Sequence, residues 1–284
     1  MENNNSNKSI FLGIDAGSTA LSIVAIDSEK NIVDTLYTFH HGKIHEEIEN
    51  YCARFCKTDV CGIGFTSSAL AITGGHEVNS IVAYVTAIKH TMPQIRTCVI
   101  VGGEKFGVIE FDDNGNYSQY RGNTSCAAGT GGFLDQQARR LQLAGSHELS
   151  VMALKNCGDI PKIASRCAVF AKTDIIHVQQ EGYDITEICD GLCYGVARNI
   201  ADTLFASHTP VQPVAIVGGV SLNSAVVKHL ESIVGVRFHV PELSHIYGAF
   251  GAALYVANNT IKKTVEFTIN TKLRNRLYHF PPLA

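Results

Sequence analysis

Two cysteines stand where a thiol could bind a metal cluster. Cys126 directly precedes the small-residue loop AAGTGG, which opens a predicted helix at residues 130–143. In the segment IASRCAVFAKTDIIH, Ser165 is a favourable N-cap residue. A helix that begins after it would have Cys167 in its first turn. Helix N-termini lower the pKa of a thiol and favour negative charge. Both cysteines are therefore candidate ligands of an anionic iron–sulfur cluster.

Two such ligands form half of a site, because a [4Fe–4S] cluster usually takes four cysteines. A two-fold homodimer would supply the other half, with the cluster on the axis. The alternative is that each cysteine is a small buried hydrophobe near a helix start. Cys157 is a rival ligand, and the remaining cysteines are interpreted as packing residues of helices and strands.

Three glycine-rich turns follow predicted strands: DAGST at 15–19, VGGEKFG at 101–107 and IVGGVSLN at 216–223. Each could cradle a phosphate, because glycine lets backbone N–H groups approach an anion closely. Asp15 stands beside the first turn, where its carboxylate could hold Mg²⁺ through water. The candidate nucleotide-binding residues come from these three turns and from the AAGTGG loop. They are Gly17, Ser18, Thr19, Gly102, Gly103, Gly129, Thr130, Gly131, Gly218, Gly219 and Asn223.

Any one of these turns could be a plain hairpin turn. Three together, in this order on a duplicated frame, indicate a nucleotide site. The sequence contains neither a Walker A motif nor GxGxxG, which excludes the P-loop and Rossmann interpretations.

The elements that must position these turns repeat along the chain. The first half is predicted to contain strands at 10–16, 20–27, 31–39 and 60–66, with helices at 44–56 and 76–91. The second half is predicted to contain strands at 97–101, 106–112, 116–121, 214–218 and 236–240, with helices at 130–143, 147–155, 166–180, 184–207, 223–234 and 245–257. Each half opens with a three-stranded meander, so the pattern predicts an α/β fold with an internal duplication.

Composition excludes several classes of function. The 284 residues include 17% charged residues, the net charge is -3, and no basic block is present, which argues against a nucleic-acid partner. No apolar run reaches the ~20 residues of a membrane span. The polar N-terminus lacks the apolar core of a signal peptide. We therefore expect a cytoplasmic protein without a membrane partner, in which disulfides are not expected.

The two cysteine segments carry a family resemblance. NTSCAAGTGGFLDQQARRL and SRCAVFAKTDIIH resemble the two cluster motifs of the BadF/BadG/BcrA/BcrD ATPase family. That family comprises activators of 2-hydroxyacyl-CoA dehydratases and ATPase subunits of benzoyl-CoA reductases. The resemblance runs from about Phe11 to Ala257 and includes all three glycine-rich turns, which also resemble the loops of the actin and sugar-kinase superfamily.

This resemblance implies an actin-like ATPase fold, with two RNase H-like subdomains and a nucleotide cleft between them. Residues 1–96 would form subdomain I, to which the helix at 245–257 would return. Residues 97–244 would form subdomain II, and 258–284 a C-terminal tail or linker.

The resemblance also implies roles for individual residues. Asp15 would be the metal-side acid of the first phosphate loop, and Glu104 a second catalytic residue. Gly102 and Gly103 would form the second phosphate loop. By the same resemblance Gly218 and Gly219 would pack against the adenosine of ATP or ADP. Cys126 and Cys167 would ligate a [4Fe–4S] cluster shared by two subunits.

Members of the family use ATP hydrolysis to drive an electron to an acceptor of very low potential. The resemblance thus implies ATP, Mg²⁺ and the cluster as cofactors and a ferredoxin or flavodoxin as donor. The acceptor would be a 2-hydroxyacyl-CoA dehydratase-like or other iron–sulfur protein.

The second phosphate loop departs from the family pattern. It reads GGEK where dehydratase activators usually show GGQD, so Glu104 replaces a glutamine and Lys105 an acid. This variant and the FPPL tail resemble the first module of the long two-module members, and slow hydrolysis is expected. Two rival functions stay open: a sugar or N-acetylglucosamine kinase on the same fold, and a non-catalytic nucleotide-binding module of a larger protein.

Overall fold

The computed structural model describes residues 9–55, 59–66, 72–123, 130–206, 208–259 and 268–269. Cys126 and Gly129 lie outside the described residues. The chain forms two compact units. Unit 1 contains the residues up to Ala87 and those from Gly248 onward, and unit 2 contains Ile88–Tyr247. No helix of the described ranges is long and apolar enough to cross a membrane.

Strands and helices alternate in the order that the sequence predicts. The strands are β1 Ile10–Ala16, β2 Ala20–Ile26, β3 Ile32–Phe39, β4 Val60–Phe65, β5 Ile72–Thr73, β6 His76–Glu77, β7 Thr97–Val101, β8 Phe106–Phe111, β9 Tyr117–Gly122, β10 Val214–Val217, β11 Phe238–His239 and β12 Thr268–Ile269. The helices are α1 Ile44–Cys52, α2 Ser80–Thr91, α3 Gly131–Arg140, α4 Ser146–Ala153, α5 Ala168–Gln180, α6 Ile185–Leu204, α7 Ser224–Val234 and α8 Tyr247–Asn259. Short 3₁₀ turns occupy Gly219–Leu222 and Ser244–Ile246.

The two main sheets share one topology, which confirms the predicted duplication. The sheet of unit 1 has the order β3-β2-β1-β4-β6, and that of unit 2 the order β9-β8-β7-β10-β11 when read in the same direction. In each, an antiparallel meander is followed by a strand parallel to its first member, β4 beside β1 and β10 beside β7. The loops after paired parallel strands therefore emerge at the same edge of each sheet.

Helix α8 packs unusually close to the sheet of unit 1, because small residues face each other. A side chain at Gly13 of β1 would overlap the backbone of Ala249, and one at Gly64 of β4 would overlap that of Ala252. Close approach brings the first turn of α8 beside the end of β1, where Asp15 lies. The helix therefore takes part in forming the first loop's surroundings.

Two predicted helix starts were wrong for reasons that local contacts explain, and the helix expected at 245–257 begins at Tyr247, after a 3₁₀ turn. The helix expected at 76–91 begins at Ser80, because Asn79 Oδ1 accepts the N–H groups of Ile81 and Val82 and so caps it. The two residues His76 and Glu77 pair with β4 as a short strand instead. The helix expected at 166–180 begins at Ala168, and Cys167 is its N-cap residue.

Ser165 does not cap α5 because the segment before the helix packs against α6. The Ser165 Cβ is 3.0 Å from the place where a Cβ on Gly195 would be, and Pro161 O is 2.6 Å from the corresponding place on Gly191. At the C-terminal end, the segment expected to lack regular structure contains β12, which pairs with β5.

Candidate functional site

The first loop places Asp15 beside Thr66. Asp15 is the second-last residue of β1. Thr66 directly follows β4, the strand that runs parallel to β1. The Thr66 hydroxyl donates a hydrogen bond of 2.5 Å to Asp15 Oδ1, and the Thr66 N–H donates to Ile14 O at 3.0 Å. Burial raises the pKa of the Asp15 carboxyl, and the Thr66 hydrogen bond opposes that rise. A cation at this carboxylate would favour its ionised form.

Gly248 leaves room for the Asp15 carboxylate. A Cβ built on Gly248, in the first turn of α8, would overlap Asp15 Oδ2. The turn beyond Asp15 is closed by a hydrogen bond of 2.9 Å from Gly17 N–H to Ala20 O. Gly17 and Ser18 are exposed at its tip, so a phosphate could reach them.

The second loop is a tight turn that rests on the start of α3. Gly102 N–H donates to Lys105 O at 2.8 Å, and Glu104 and Lys105 are exposed at the tip. The carbonyl oxygens of Gly102 and Gly103 accept hydrogen bonds from α3. The donors are Gly131 N–H at 3.1 Å to Gly102 O, Gly132 N–H at 2.8 Å to Gly103 O and the Thr130 hydroxyl at 2.5 Å to Gly103 O. The loop is therefore anchored to α3.

Thr130 and Gly131 were predicted to be among the nucleotide-binding residues. In the structure Thr130 is fully buried and its hydroxyl is bonded to Gly103 O. A Cβ on Gly131 would be 3.2 Å from Gly102 O. Both residues thus support the second loop, and their contact with a nucleotide stays a prediction.

The third loop lies beside the second because β10 runs parallel to β7. Gly218 has a φ of 95°, and a Cβ there would be 2.5 Å from Val101 O, so glycine is required on both counts. Its N–H donates to Ser244 O at 2.9 Å, and Ser221 Oγ donates to its carbonyl at 2.6 Å. Gly219 begins the 3₁₀ turn that follows. Ligands of α/β sheets bind at such carboxyl ends of neighbouring strands.

Asn223, at the end of this loop, caps α7. It is buried, and its Oδ1 accepts the Val226 N–H at 3.0 Å, capping α7. Its side-chain amide also contacts Ser146 O at 3.4 Å, and the Cys193 thiol lies 3.7 Å from its Oδ1. It fixes α7 to α4 and α6.

Cys167 is partly exposed at the N-cap of α5, and its side chain makes no capping hydrogen bond. Three hydrogen bonds hold the surrounding backbone and side chains. They run from Arg140 Nη1 to Ala168 O at 2.9 Å, from Ala164 N–H to Asp174 Oδ2 at 2.7 Å and from Arg166 Nε to Asn199 Oδ1 at 2.9 Å. Cys167 also borders a cavity of about 720 Å³ between this segment and α6. The Cys167 side chain is therefore held in place by its surroundings and partly accessible.

Most other described cysteines are more buried than Cys167, and burial raises the pKa of four of their thiols. It raises the pKa of the Cys52 thiol to about 11 and that of Cys189 to about 12, with nearby acids adding to both effects. Burial also raises the pKa values of Cys98 and Cys193 strongly. These four thiols are poor sources of thiolate. Cys157 is exposed and stays a rival ligand.

The structure adds three residues that the sequence did not single out. Thr66 binds Asp15 across 51 residues of sequence, Gly248 accommodates Asp15, and Arg140 joins α3 to the start of α5. Among these three residues only Gly248 had a signal in the sequence, the small-residue string GAFGAA at the start of α8.

Comparison with known proteins gives the family of the chain. The model of the BadF/BadG/BcrA/BcrD ATPase family matches residues 12–256. The 2-hydroxyisocaproyl-CoA dehydratase activator of Clostridioides difficile is 29% identical over 254 residues, or 86% of this chain and 93% of that protein. The (R)-2-hydroxyglutaryl-CoA dehydratase activating ATPase of Acidaminococcus fermentans is 30% identical over 261 residues, or 88% of this chain and 98% of that protein.

Two solved structures resemble the chain over most of its length. The activator of the 2-hydroxyisocaproyl-CoA dehydratase from Clostridium difficile, with bound ADPNP, has a TM-score of 0.76 and 26% identity, covering 88% of this chain and 95% of that one. Component A of the Acidaminococcus fermentans (R)-2-hydroxyglutaryl-CoA dehydratase has a TM-score of 0.77 and 28% identity, covering 88% and 98%. These matches confirm the predicted α/β, actin-like fold. The chain therefore belongs to the BadF/BadG/BcrA/BcrD ATPase family.

Proposed function

We propose that this chain is an ATP-hydrolysing activator that passes a low-potential electron to a 2-hydroxyacyl-CoA dehydratase or a related iron–sulfur acceptor. The electron would travel through a [4Fe–4S] cluster shared by a homodimer, with a ferredoxin or flavodoxin as donor. Relatives that match nearly full length are named as dehydratase activators. The observation that carries the proposal is the accessible thiol of Cys167 at the N-cap of α5.

The thiol of Cys167 is a suitable ligand for an iron–sulfur cluster. Thiolates are the usual ligands of such clusters, and Cys167 combines accessibility with the positive end of the α5 dipole. Val169 and Phe170, in the first turn of α5, are exposed at 69% and 66%. Apolar side chains this exposed beside a half-site favour a second subunit there. Cys126 would be the second ligand from each chain, and the cluster would supply one-electron transfer.

Each loop would contribute its own nucleotide-binding residues, the first loop in unit 1 and the other two in unit 2. Asp15 would bind Mg²⁺ through water, with Thr66 orienting its carboxylate. The turn at Gly102 and Gly103 would receive the phosphates, and the exposed carboxylate of Glu104 would orient the attacking water. Gly218 and Gly219 would line the adenosine.

A continuous set of contacts within unit 2 connects the second loop with Cys167. The carbonyl oxygens of Gly102 and Gly103 bind the N-terminus of α3, and Arg140 at the other end of α3 binds Ala168 O. A shift of the second loop on hydrolysis would therefore move α3 against the first turn of α5. We propose this as the route by which nucleotide state reaches the cysteine.

Anaerobic purification followed by iron, sulfide and visible-spectrum analysis, together with an ATPase assay, tests the function. The proposal predicts iron, sulfide and ATP turnover to ADP and free phosphate. A phosphate ester formed in place of free phosphate would favour the kinase alternative. ATP binding without turnover would favour a non-catalytic nucleotide-binding module.

A further inference from the structure

His40 joins the first loop to the end of β3. It is 8% exposed, and its Nε2 is 3.2 Å from the carbonyl oxygen of Gly17. Its Nδ1 accepts the Gly42 N–H at 3.0 Å. Its own N–H donates to Thr19 O at 3.3 Å. Side chain and backbone thus touch the same exposed turn from the protein interior.

The two ring contacts determine the tautomer of His40. A backbone N–H can only donate, so Nδ1 carries no proton where it accepts from Gly42. The proton of the neutral ring is therefore on Nε2, which donates to Gly17 O. Both ring nitrogens are fully used by the backbone, so His40 has no atom left for proton transfer to a substrate.

The contact at Gly17 O also orients the next amide. In a trans peptide the C=O of one residue and the N–H of the next point in opposite directions within one plane. With Gly17 O directed at buried His40, the Ser18 N–H points away from the imidazole. Gly17 and Ser18 are both exposed. The Gly17 N–H is bonded to Ala20 O, which fixes the other side of the same residue.

We propose that His40 is a positioning residue of the first phosphate loop. It holds the Gly17–Ser18 peptide so that the Ser18 N–H is oriented for a phosphate oxygen of ATP before the nucleotide binds. This inference rests on the proposed nucleotide site and deepens it. The effect is on binding of the phosphates, so it should appear in ATP affinity and KM more than in kcat.

Two substitutions separate the two ends of the imidazole. In His40→Asn, Oδ1 lies as many bonds from Cβ as Nδ1 and can still accept the Gly42 N–H, but the donor to Gly17 O is lost. In His40→Gln, Nε2 lies as many bonds from Cβ as the ring Nε2 and can still donate to Gly17 O. His41, exposed and at a φ of 45°, gives the control His41→Asn, because asparagine tolerates that conformation.

The experiment measures the Kd for ATP, KM, kcat and the melting temperature of all three variants. We expect His40→Asn to weaken ATP binding and raise KM about five- to tenfold, the loss of one hydrogen bond. His40→Gln and His41→Asn should stay within about twofold of wild type. The inference would be overturned if His40→Asn binds ATP as tightly as wild type. It would also be overturned if both His40 variants lose affinity equally and in proportion to their loss of stability.

If His40→Asn does not fold, the ATP affinity of His40→Gln tests the inference instead. Its affinity should stay near that of wild type, and a fivefold loss at an unchanged melting temperature would overturn the role of the Gly17 contact. Absence of ATP binding in the wild type would instead contradict the proposed function itself, which keeps the two failures distinct.

Discussion

The carboxylate of Asp15 occupies the space that a side chain at Gly248 would fill. The two residues belong to the two separate sequence segments of unit 1 and meet because α8 packs closely on β1. Glycine at 248 is therefore part of the geometry that places the acid, and its substitution tests the role of Asp15 indirectly.

Gly248→Ala should lower ATP turnover by roughly 10- to 100-fold, because the new methyl group displaces Asp15 and small misplacements at a reacting centre are costly. Alanine is the better helix former by about 1 kcal/mol, so global unfolding is not the expected cause. Steady-state phosphate release checks this. Gly145→Ala, where a Cβ meets open space, is the matched control. Equal turnover in wild type and Gly248→Ala would contradict the placement.

Asp15→Asn should lower ATP hydrolysis by about 10- to 100-fold, as expected for a group that holds a metal through water. It should also change the pH dependence of stability. Burial raises the pKa of Asp15, so the folded protein holds the proton more tightly than the unfolded chain does. The stability that Asp15 contributes is thus greatest at low pH and is lost as pH rises through the folded-state pKa.

The free energy of unfolding without nucleotide, measured by denaturant titration at several pH values, checks the second effect. Asp15→Asn should be more stable than wild type at neutral pH, and the difference should shrink toward pH ~4, near the ordinary carboxyl pKa. A difference that grows as the pH falls would show that the pKa is lowered instead.

Glu104→Ala should reduce turnover about 100-fold while ATP affinity changes by less than about threefold, because an oriented water matters mainly in the transition state. Turnover under saturating ATP and a direct binding titration separate the two quantities. Glu29→Ala, an exposed glutamate in the turn between β2 and β3, controls for loss of a surface charge. Much weaker ATP binding with normal turnover would reverse the assignment.

Arg140→Gln should uncouple Cys167 from the nucleotide. In cluster-free wild-type protein, a non-hydrolysable ATP analogue should change the alkylation rate of Cys167 by about fivefold, a typical coupling between two sites. That response should largely disappear in Arg140→Gln and persist in Arg139→Gln, its exposed neighbour on α3. Peptide mass spectrometry gives the rate at Cys167 alone. A response unchanged by Arg140→Gln would exclude this route.

Local pattern predicted most of the fold, since the strands of both meanders and the order of the helices follow from hydrophobic spacing and turn residues. The failures have tertiary causes. Ser165 has the chemistry of an N-cap, but it packs on Gly195, so α5 begins at Ala168. His76 and Glu77 continue a helical pattern, but Asn79 caps the helix later and β4 offers them a partner strand.

The site follows the same division. Asp15 and the glycines of the three loops could be found from sequence because each lies in a short pattern. Thr66 and His40 could not, because their contacts with the first loop connect residues far apart in the sequence. The string GAFGAA indicated close packing at Gly248, but not its contact with Asp15. Thr130 was predicted from the AAGTGG string, but its burial under the second loop could not be predicted, because the packing of α3 sets it.

The central claim, a cluster shared by two subunits through Cys126 and Cys167, is tested most directly by iron content and molar mass under anaerobic conditions. Wild type should be a dimer with about two iron atoms per chain, half of a [4Fe–4S] cluster. Cys126→Ser and Cys167→Ser should each lose the iron and shift toward monomer while still binding ATP. Cys157→Ser, which removes another exposed thiol, should keep both iron and dimer. Wild-type iron in the Cys126 and Cys167 variants, or an iron-loaded monomer of the wild type, would contradict the account.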